Sequence, residues 1–315
     1  MTAGAGPTMT RVRGRNTGAV AADQDAAGLG RWRAGLFVLP ALVLIGVFLV
    51  LPALWTIYLG ATDFQLTGTA AAQPRIVGMD NLLSVFSGGG FAGSLLLTLE
   101  YVVGSAVVGQ AGLGLALAWV MRDRRGVLRR VVDAVVLLAW ILPNSVVAFL
   151  WIALLDRDSG TLNALLGTPG FGWLLRYPML SIIVFNIWRG TAFSQMLYSA
   201  ALANVPRSQL ETARLTGATP WRQLWDVVLP QIRGHVLTNL LLVSLWTFND
   251  FTPFLLTAGG PDHRSETLPV FVYVTALTGG QLGLGAAISF VMLLVNLVIA
   301  FGYLRLLGRR KDGAA

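Results

Sequence analysis

The chain has 315 residues, of which 55% are hydrophobic and only 12% charged, with a formal net charge of +8. Soluble domains carry about 25% charged residues, so the composition excludes an ordinary soluble fold and points to an integral membrane protein. The absence of cysteine excludes disulfides and thiolate chemistry, and His235 and His263, far apart and without cysteine neighbours, do not make a metal site.

Residues before about Leu29 are Gly, Ala, Thr and Arg without an apolar face, so residues 1–30 are expected to be a disordered N-terminus on the cytoplasmic side. It is not a cleaved signal peptide, because the apolar run that follows is too long and lacks a small-residue cleavage site. Helices need about 20 apolar residues to cross a bilayer. Six runs meet that length, close to Gly35–Tyr58, Ser94–Met121, Val131–Leu155, Pro178–Ala200, Val236–Thr257 and Leu282–Leu306. The domain layout that follows has a first transmembrane helix in 31–60, an outer loop over 61–93, the remaining five-span body in 94–307 and a tail over 308–315. The outer loop carries a short helix-like stretch, Val77–Phe86. The apolar piece Thr267–Val274 is too short to cross and is expected at the interface. Backbone groups cannot stay unpaired in lipid, so the runs are helices and the fold is all-α.

Arginines set the orientation. Arg11, Arg13, Arg15, Arg31 and Arg33 flank the first run, Arg122, Arg124, Arg125, Arg129 and Arg130 sit in the second connection, and Arg207, Arg214, Arg222 and Arg233 in the fourth. The tail carries Arg305, Arg309, Arg310 and Lys311. The other side has only Arg75, Arg157, Arg176 and Arg264. Both termini and the two basic connections are therefore expected in the cytoplasm.

The fourth connection, 204–230, reads as two short helices folded around Gly217. Ser208 and Glu211 have capping-box spacing. Gly217 can take the left-handed conformation that ends a helix, and Thr219-Pro220 offers an N-cap followed by proline at the first helical position. Trp221, Leu224, Trp225 and Val228 share one apolar face, and Leu229-Pro230 closes the unit. From the residues alone, the segment could equally be an amphipathic helix resting on headgroups.

The segment resembles the cytoplasmic loop of binding-protein-dependent ABC importer permeases, whose pattern is Glu-Ala-Ala, three residues, Gly, nine residues, Ile, one residue, Leu-Pro. Here Glu211-Thr212-Ala213, Gly217, Val227 and Leu229-Pro230 stand at that spacing, with Thr212 and Val227 as departures. Thr216 stands where the family commonly has an acidic residue. Trp188–Pro206, Trp246–Pro261 and Glu266-Thr-Leu-Pro269 are similar to the maltose-type sugar permease branch. The likeness runs from about Arg33 to Leu307. It implies the type I importer permease fold, six transmembrane helices with cytoplasmic coupling helices, in the plasma membrane of a prokaryote. It also implies that Glu211, Ala213, Gly217, Leu229 and Pro230 couple the chain to an ATPase. There the loop inserts into a cleft on the ATPase, whose ATP-driven closure flips the permease. The implied partners are a second, different permease chain, two cytoplasmic ATPase subunits and an extracytoplasmic solute-binding protein, with no nucleic acid. The chain holds no cofactor of its own. With one lysine, Lys311, and no glycine-rich phosphate loop, it cannot be the ATPase. It is not an enzyme, and ATP and magnesium belong to the partner subunits.

Ionisable groups within spans cost about 2.5–3.5 kcal/mol on insertion scales and need a reason. Glu100, Arg189 and Asp250 are such groups. Arg189 either pairs with Glu100, Asp250 or freed carbonyls to hold the bundle, or faces the transport path. Asn144, Asn186, Gln195, Asn239 and Asn249 recur at membrane depth with Trp140, Trp188, Trp246, Phe248 and Phe251, and a kink is expected around Pro253. Amides for hydroxyls and rings for CH faces suit a sugar. The path through the third, fourth and fifth spans is therefore assigned to Asn144, Asn186, Arg189, Trp246, Asn249 and Asp250. The expected function is carbohydrate import. The alternatives are a polyol or phosphorylated polyol as solute, an exporter, or a stand-alone carrier or channel using Glu100, Arg189 and Asp250 as a relay.

Overall fold

The computed structural model describes residues 31–308, with side-chain surroundings from residue 35. The expected disordered N-terminus (1–30) and the basic tail residues Arg309, Arg310 and Lys311 lie outside the described residues. Among the described residues there is no β-strand, only an isolated bridge between Thr62 and Ile76.

By its internal contacts the chain divides between Leu54 and Trp55. The first unit is helical from Arg31, and its apolar stretch begins the first helix long enough to cross a membrane, α1 (Gly35–Gly60). Leu36, Phe37, Phe48 and Leu49 are exposed along it. Such a surface is costly in water and natural in lipid.

The second unit begins within the end of α1 and contains every other element. Besides the short helical pieces Thr69–Ala72, Asp80–Ser87, Thr161–Leu166, Trp173–Arg176 and Pro261–His263, these are, in chain order, α2 (Gly90–Met121), α3 (Val127–Ile141), α4 (Asn144–Leu154), α5 (Pro178–Ala203), α6 (Arg207–Leu215), α7 (Pro220–Phe248), α8 (Thr252–Thr257), α9 (Leu268–Thr278) and α10 (Leu282–Gly308). Among the described residues, α1, α2, α7 and α10 are the four single helices long and apolar enough to span. At about 1.5 Å per residue, the 26 residues of α5 reach about 39 Å, long enough to cross. Its composition is more polar because it carries Asn186, Arg189, Thr191, Ser194 and Gln195.

Two expected spans are not single helices. The run Val131–Leu155 is broken into α3 and α4, which meet at 109°. Pro143 is extended (φ −59°, ψ 136°) and so is Leu142 before it (ψ 136°), because a residue preceding proline is driven out of the helical region. The run Val236–Thr257 is interrupted at Asn249–Phe251, ahead of the expected kink at Pro253. Pro253 instead sits in the first turn of α8, where its missing N–H costs nothing.

The helices α2 and α5 approach closely because α2 offers glycines. A Cβ at Gly114 would collide with Ser194, and one at Gly109 with Ile187. In return Gly190 of α5 leaves room for the Gln110 side chain. A buried core of Val102, Ala106, Val243, Phe248, Leu268 and Ile288 joins α2, α7, α9 and α10. A second core, including Tyr101, Val147, Ile182 and Phe185, holds α4 against α2 and α5. The stretch Val77–Phe86 expected in the outer loop does enter a helix, Asp80–Ser87, and the short apolar piece becomes α9, 11 residues long.

Candidate functional site

A cavity of about 290 Å³ lies between α2, α3, α5 and α7. Gln110, Trp140, Asn186, Arg189, Gly190, Trp246, Thr247 and Asp250 line it. Asp250 stands where the backbone breaks between α7 and α8, and both of its carboxylate oxygens are engaged. One oxygen accepts from the Tyr101 hydroxyl at 2.9 Å and lies 3.6 Å from the Arg189 guanidinium. The other accepts from the Thr252 backbone N–H at 3.1 Å and its hydroxyl at 2.6 Å, which holds the first residue of α8. The two charges have side-chain exposures of 23% (Arg189) and 11% (Asp250). The pair is thus mostly desolvated, and each charge depends on the other.

Beside the pair lies an amide network. The Asn186 amide donates to Ser105 Oγ at 2.7 Å and to Thr247 Oγ1 at 3.2 Å, while the Gln110 amide donates to the Asn186 carbonyl at 3.1 Å. These bonds tie α2, α5 and α7 together. Trp140, Phe193 and Trp246 form an aromatic wall, with centroids 4.8 Å apart for Phe193–Trp246 and 6.0 Å for Trp140–Trp246. Trp246 remains 49% exposed.

Of the residues assigned to the path from sequence, Asn186, Arg189, Trp246 and Asp250 come together here. Asn249 does not line the cavity. Its side chain turns to Asn296 of α10, the two amides exchanging hydrogen bonds of 3.0 Å. Asn144 is exposed at the start of α4, past the bend, and also stays off the cavity. Glu100 is exposed and makes no ion pair among the described residues, so Arg189 takes Asp250 as its partner. Tyr101, Gln110 and Thr247 were missed as site residues. Gln110 carried a signal, a lone amide flanked by Gly109 and Ala111 in an apolar run. Tyr101 carried none beyond being next to Glu100.

The hairpin of α6 and the start of α7 follows α5 after only a short turn. Helix α6 opens after Pro206, so Ser208 lies inside the first turn and the expected capping box with Glu211 is not formed. Gly217 has φ +81°, the left-handed region that glycine enters freely. The Gly217 N–H reaches Arg214 O at 3.0 Å and the Ala218 N–H reaches Ala213 O at 2.9 Å, closing the end of α6. Thr219 Oγ1 accepts from the Arg222 N–H and starts α7, as its sequence suggested. The four-residue apolar face is split. Leu224 and Val228 are buried against Leu210, Tyr198 and Leu202, whereas Trp221 and Trp225 are exposed and pack on each other. Leu229-Pro230 does not end the unit either. Helix α7 runs through it, and the wider turns at Gln223–Val228 absorb the hydrogen bond that proline cannot donate. Further ties stiffen the hairpin: Gln231 donates to the Gln209 side chain at 2.6 Å, and Gln223 to the Ala218 carbonyl at 2.9 Å. Glu211 is exposed on its surface, Ala213 and Leu229 are half-buried and Pro230 is exposed.

The profile of the family described as binding-protein-dependent transport system inner membrane component matches residues 110–312. The chain belongs to this family. It is an inner-membrane permease component, and its body is the part the family shares. The chain is 29% identical to the sn-glycerol-3-phosphate transport system permease protein UgpA of Escherichia coli O157:H7, over 85% of this chain and 92% of that one. It is 27% identical to the trehalose/maltose transport system permease protein MalF of Thermococcus litoralis, over 88% and 94%. Among solved structures, a bacterial ABC transporter involved in the import of the acidic polysaccharide alginate superposes with a TM-score of 0.70 at 21% identity, covering 89% of this chain and 96% of that one. The fold is that of an ABC importer permease.

Proposed function

We propose that this permease carries a carbohydrate or a closely related polyol, handed over by an extracytoplasmic solute-binding protein, along the face holding Asn186, Arg189, Trp246 and Asp250. The observation that carries the reading is the cavity itself, in which an indole face stands beside an amide network and a compensated ion pair. Hydroxyl-rich solutes need ring faces for their CH surface and hydrogen-bonding groups for their hydroxyls. The named solutes of the UgpA and MalF relatives, glycerol phosphate and trehalose or maltose, are of that kind. Two ATPase subunits and a second, different permease chain complete the transporter, ATP and magnesium being held by the ATPases. The basic connections and both termini face the cytoplasm, in accordance with the distribution of arginine.

The mechanical route supports the same reading. Arg189 sits on α5, and the C-terminal end of α5 leads through residues 204–206 into α6. An ATPase gripping the capped hairpin through Glu211, Ala213, Gly217, Leu229 and Pro230 moves a stiff element joined directly to the helix that lines the cavity. A relay through Glu100, Arg189 and Asp250 has no such support, since Glu100 stands apart.

The test is uptake of radiolabelled sugar by the assembled transporter in proteoliposomes. Replacing Glu211 and Gly217 together is expected to abolish uptake while ATP is hydrolysed without transport, or to prevent assembly. Unchanged uptake, or uptake by the chain without ATPases, would count against the proposal.

A further inference from the structure

At the arginine-rich end of the second unit, the turn after α2 faces α6 across two adjoining cavities of about 280 and 230 Å³. Both are lined by Arg122, Asp123, Arg207 and Leu210, and the smaller one also by Arg125, Glu211 and Arg214. Arg122 is held rigidly. Its guanidinium lies 3.8 Å over the Trp119 ring and donates to Asp123 through Nε at 3.3 Å and Nη2 at 2.9 Å. Its remaining nitrogen, Nη1, is buried and has no acceptor among the described residues. A buried charged donor left without an acceptor is costly and uncommon in native proteins.

The surroundings repeat that surplus. Arg214 approaches only Asp123, at 3.6 Å, and Arg125 and Arg207 make no ion pair among the described residues. The smaller cavity therefore sets four guanidinium groups against the carboxylates of Asp123 and Glu211. The neighbouring arginines hold the Asp123 carboxyl below its ordinary range, Arg122 most strongly through its hydrogen bond. Asp123 is thus already committed as an anion, and the positive excess is what remains.

We infer that this groove is a binding site for a phosphate group. The guanidiniums come from two elements and approach from several directions. A tetrahedral phosphate offers acceptor oxygens in as many directions, whereas a planar carboxylate does not. The group is either a free phosphate or the headgroup of an anionic lipid, since the groove is also walled by Ala118, Met121 and Leu202 from helix ends. Bound there, it ties the end of α2 to α6, the element expected to meet the ATPase.

The experiment uses the purified full-length chain, in uncharged detergent and in phosphatidylcholine nanodiscs with or without phosphatidylglycerol. Radiolabelled inorganic phosphate is followed by equilibrium dialysis, and retained phosphatidylglycerol by native mass spectrometry. Saturable binding of phosphate identifies a soluble source, and selective retention of phosphatidylglycerol alone identifies the headgroup. In either case Arg125→Gln with Arg207→Gln, two exposed residues without an ion pair among the described residues, should weaken binding by at least about tenfold, and Glu211→Gln should strengthen it. Binding of neither probe, binding unchanged in the double variant, or loss of the effect at matched ionic strength with chloride overturns the assignment. So does release of the probe when the ATPase subunits assemble, which would show that the partner fills the groove.

Discussion

Asp250→Ala tests how far the ion pair holds the cavity together. The substitution removes the acceptor of the fully buried Tyr101 hydroxyl, the acceptor of the Thr252 N–H and hydroxyl at the start of α8, and the only carboxylate paired with Arg189 among the described residues. An orphaned buried hydroxyl costs about 1–3 kcal/mol. Loss of the hydrogen bonds to Thr252 costs about 1 kcal/mol. Stripping a buried charge of its partner costs about 3–5 kcal/mol, reduced here to about 1–2 kcal/mol because Arg189 keeps 23% of its side chain exposed. Because these losses share one carboxylate they do not add fully, and about 4 kcal/mol is expected. Unfolding of the purified chain by denaturant in detergent, followed by tryptophan fluorescence, reads this directly. Asp250→Asn, which keeps part of the hydrogen bonding, should lose less. The double variant Arg189→Met with Asp250→Leu should recover stability relative to Asp250→Ala, since it leaves no unpaired charge. Stability of Asp250→Ala within about 0.5 kcal/mol of the native chain would refute the reasoning, because that is the scatter of ordinary surface substitutions.

Three further outcomes follow from other places in the fold. Gly190→Leu forces a side chain into the Gln110 amide and should destabilise the chain by about 1–3 kcal/mol in the same assay, with sugar uptake lost. Asn163 donates its amide to the carbonyls of Asp156, Arg157 and Phe171 and accepts from Thr168 and Trp173, so Asn163→Ala should expose the stretch 156–177 to limited proteolysis that the native chain resists. The Asp123 carboxyl is held low chiefly by the Arg122 hydrogen bond, so the contribution of its contacts with Arg122 and Arg214 is fully present above the ordinary carboxylate value of about 3.9 and is lost as pH falls through the depressed one. An acid titration of the thermal midpoint should therefore fall more steeply below about pH 4 for the native chain than for Asp123→Asn.

The apolar runs made the long helices legible, because lipid allows no other use of such stretches. What they did not carry was angle. Hydropathy is blind to the 109° bend at Pro143, although the restriction proline places on Leu142 was there to be read. At the hairpin, Gly217 and Thr219 were legible because turn and cap chemistry is local. Ser208 failed as a cap because helix α6 begins directly after Pro206, two residues earlier than the capping box requires. The helical period placed Trp221, Leu224, Trp225 and Val228 on one face but could not say which of them a neighbouring helix covers. That depends on Leu210 and Leu202, brought in by tertiary packing. Within the cavity, Arg189 and Asp250 stood out because charge is rare at membrane depth. Tyr101 and Thr247 did not, since a hydroxyl in an apolar run looks like any other until its partner, Asp250 or Asn186, is in place.

The central claim is that the hairpin of α6 and α7 is the handle by which a separate ATPase moves α5 and the cavity. Site-directed cross-linking from cysteine introduced at Ala213 or Ala218, in the assembled transporter in membranes, tests it most directly. The account predicts capture of the ATPase subunit, with a yield that changes between nucleotide-free and ATP-bound states. Labelling of those positions only from outside the cell, or no ATPase adduct in any state, would contradict it.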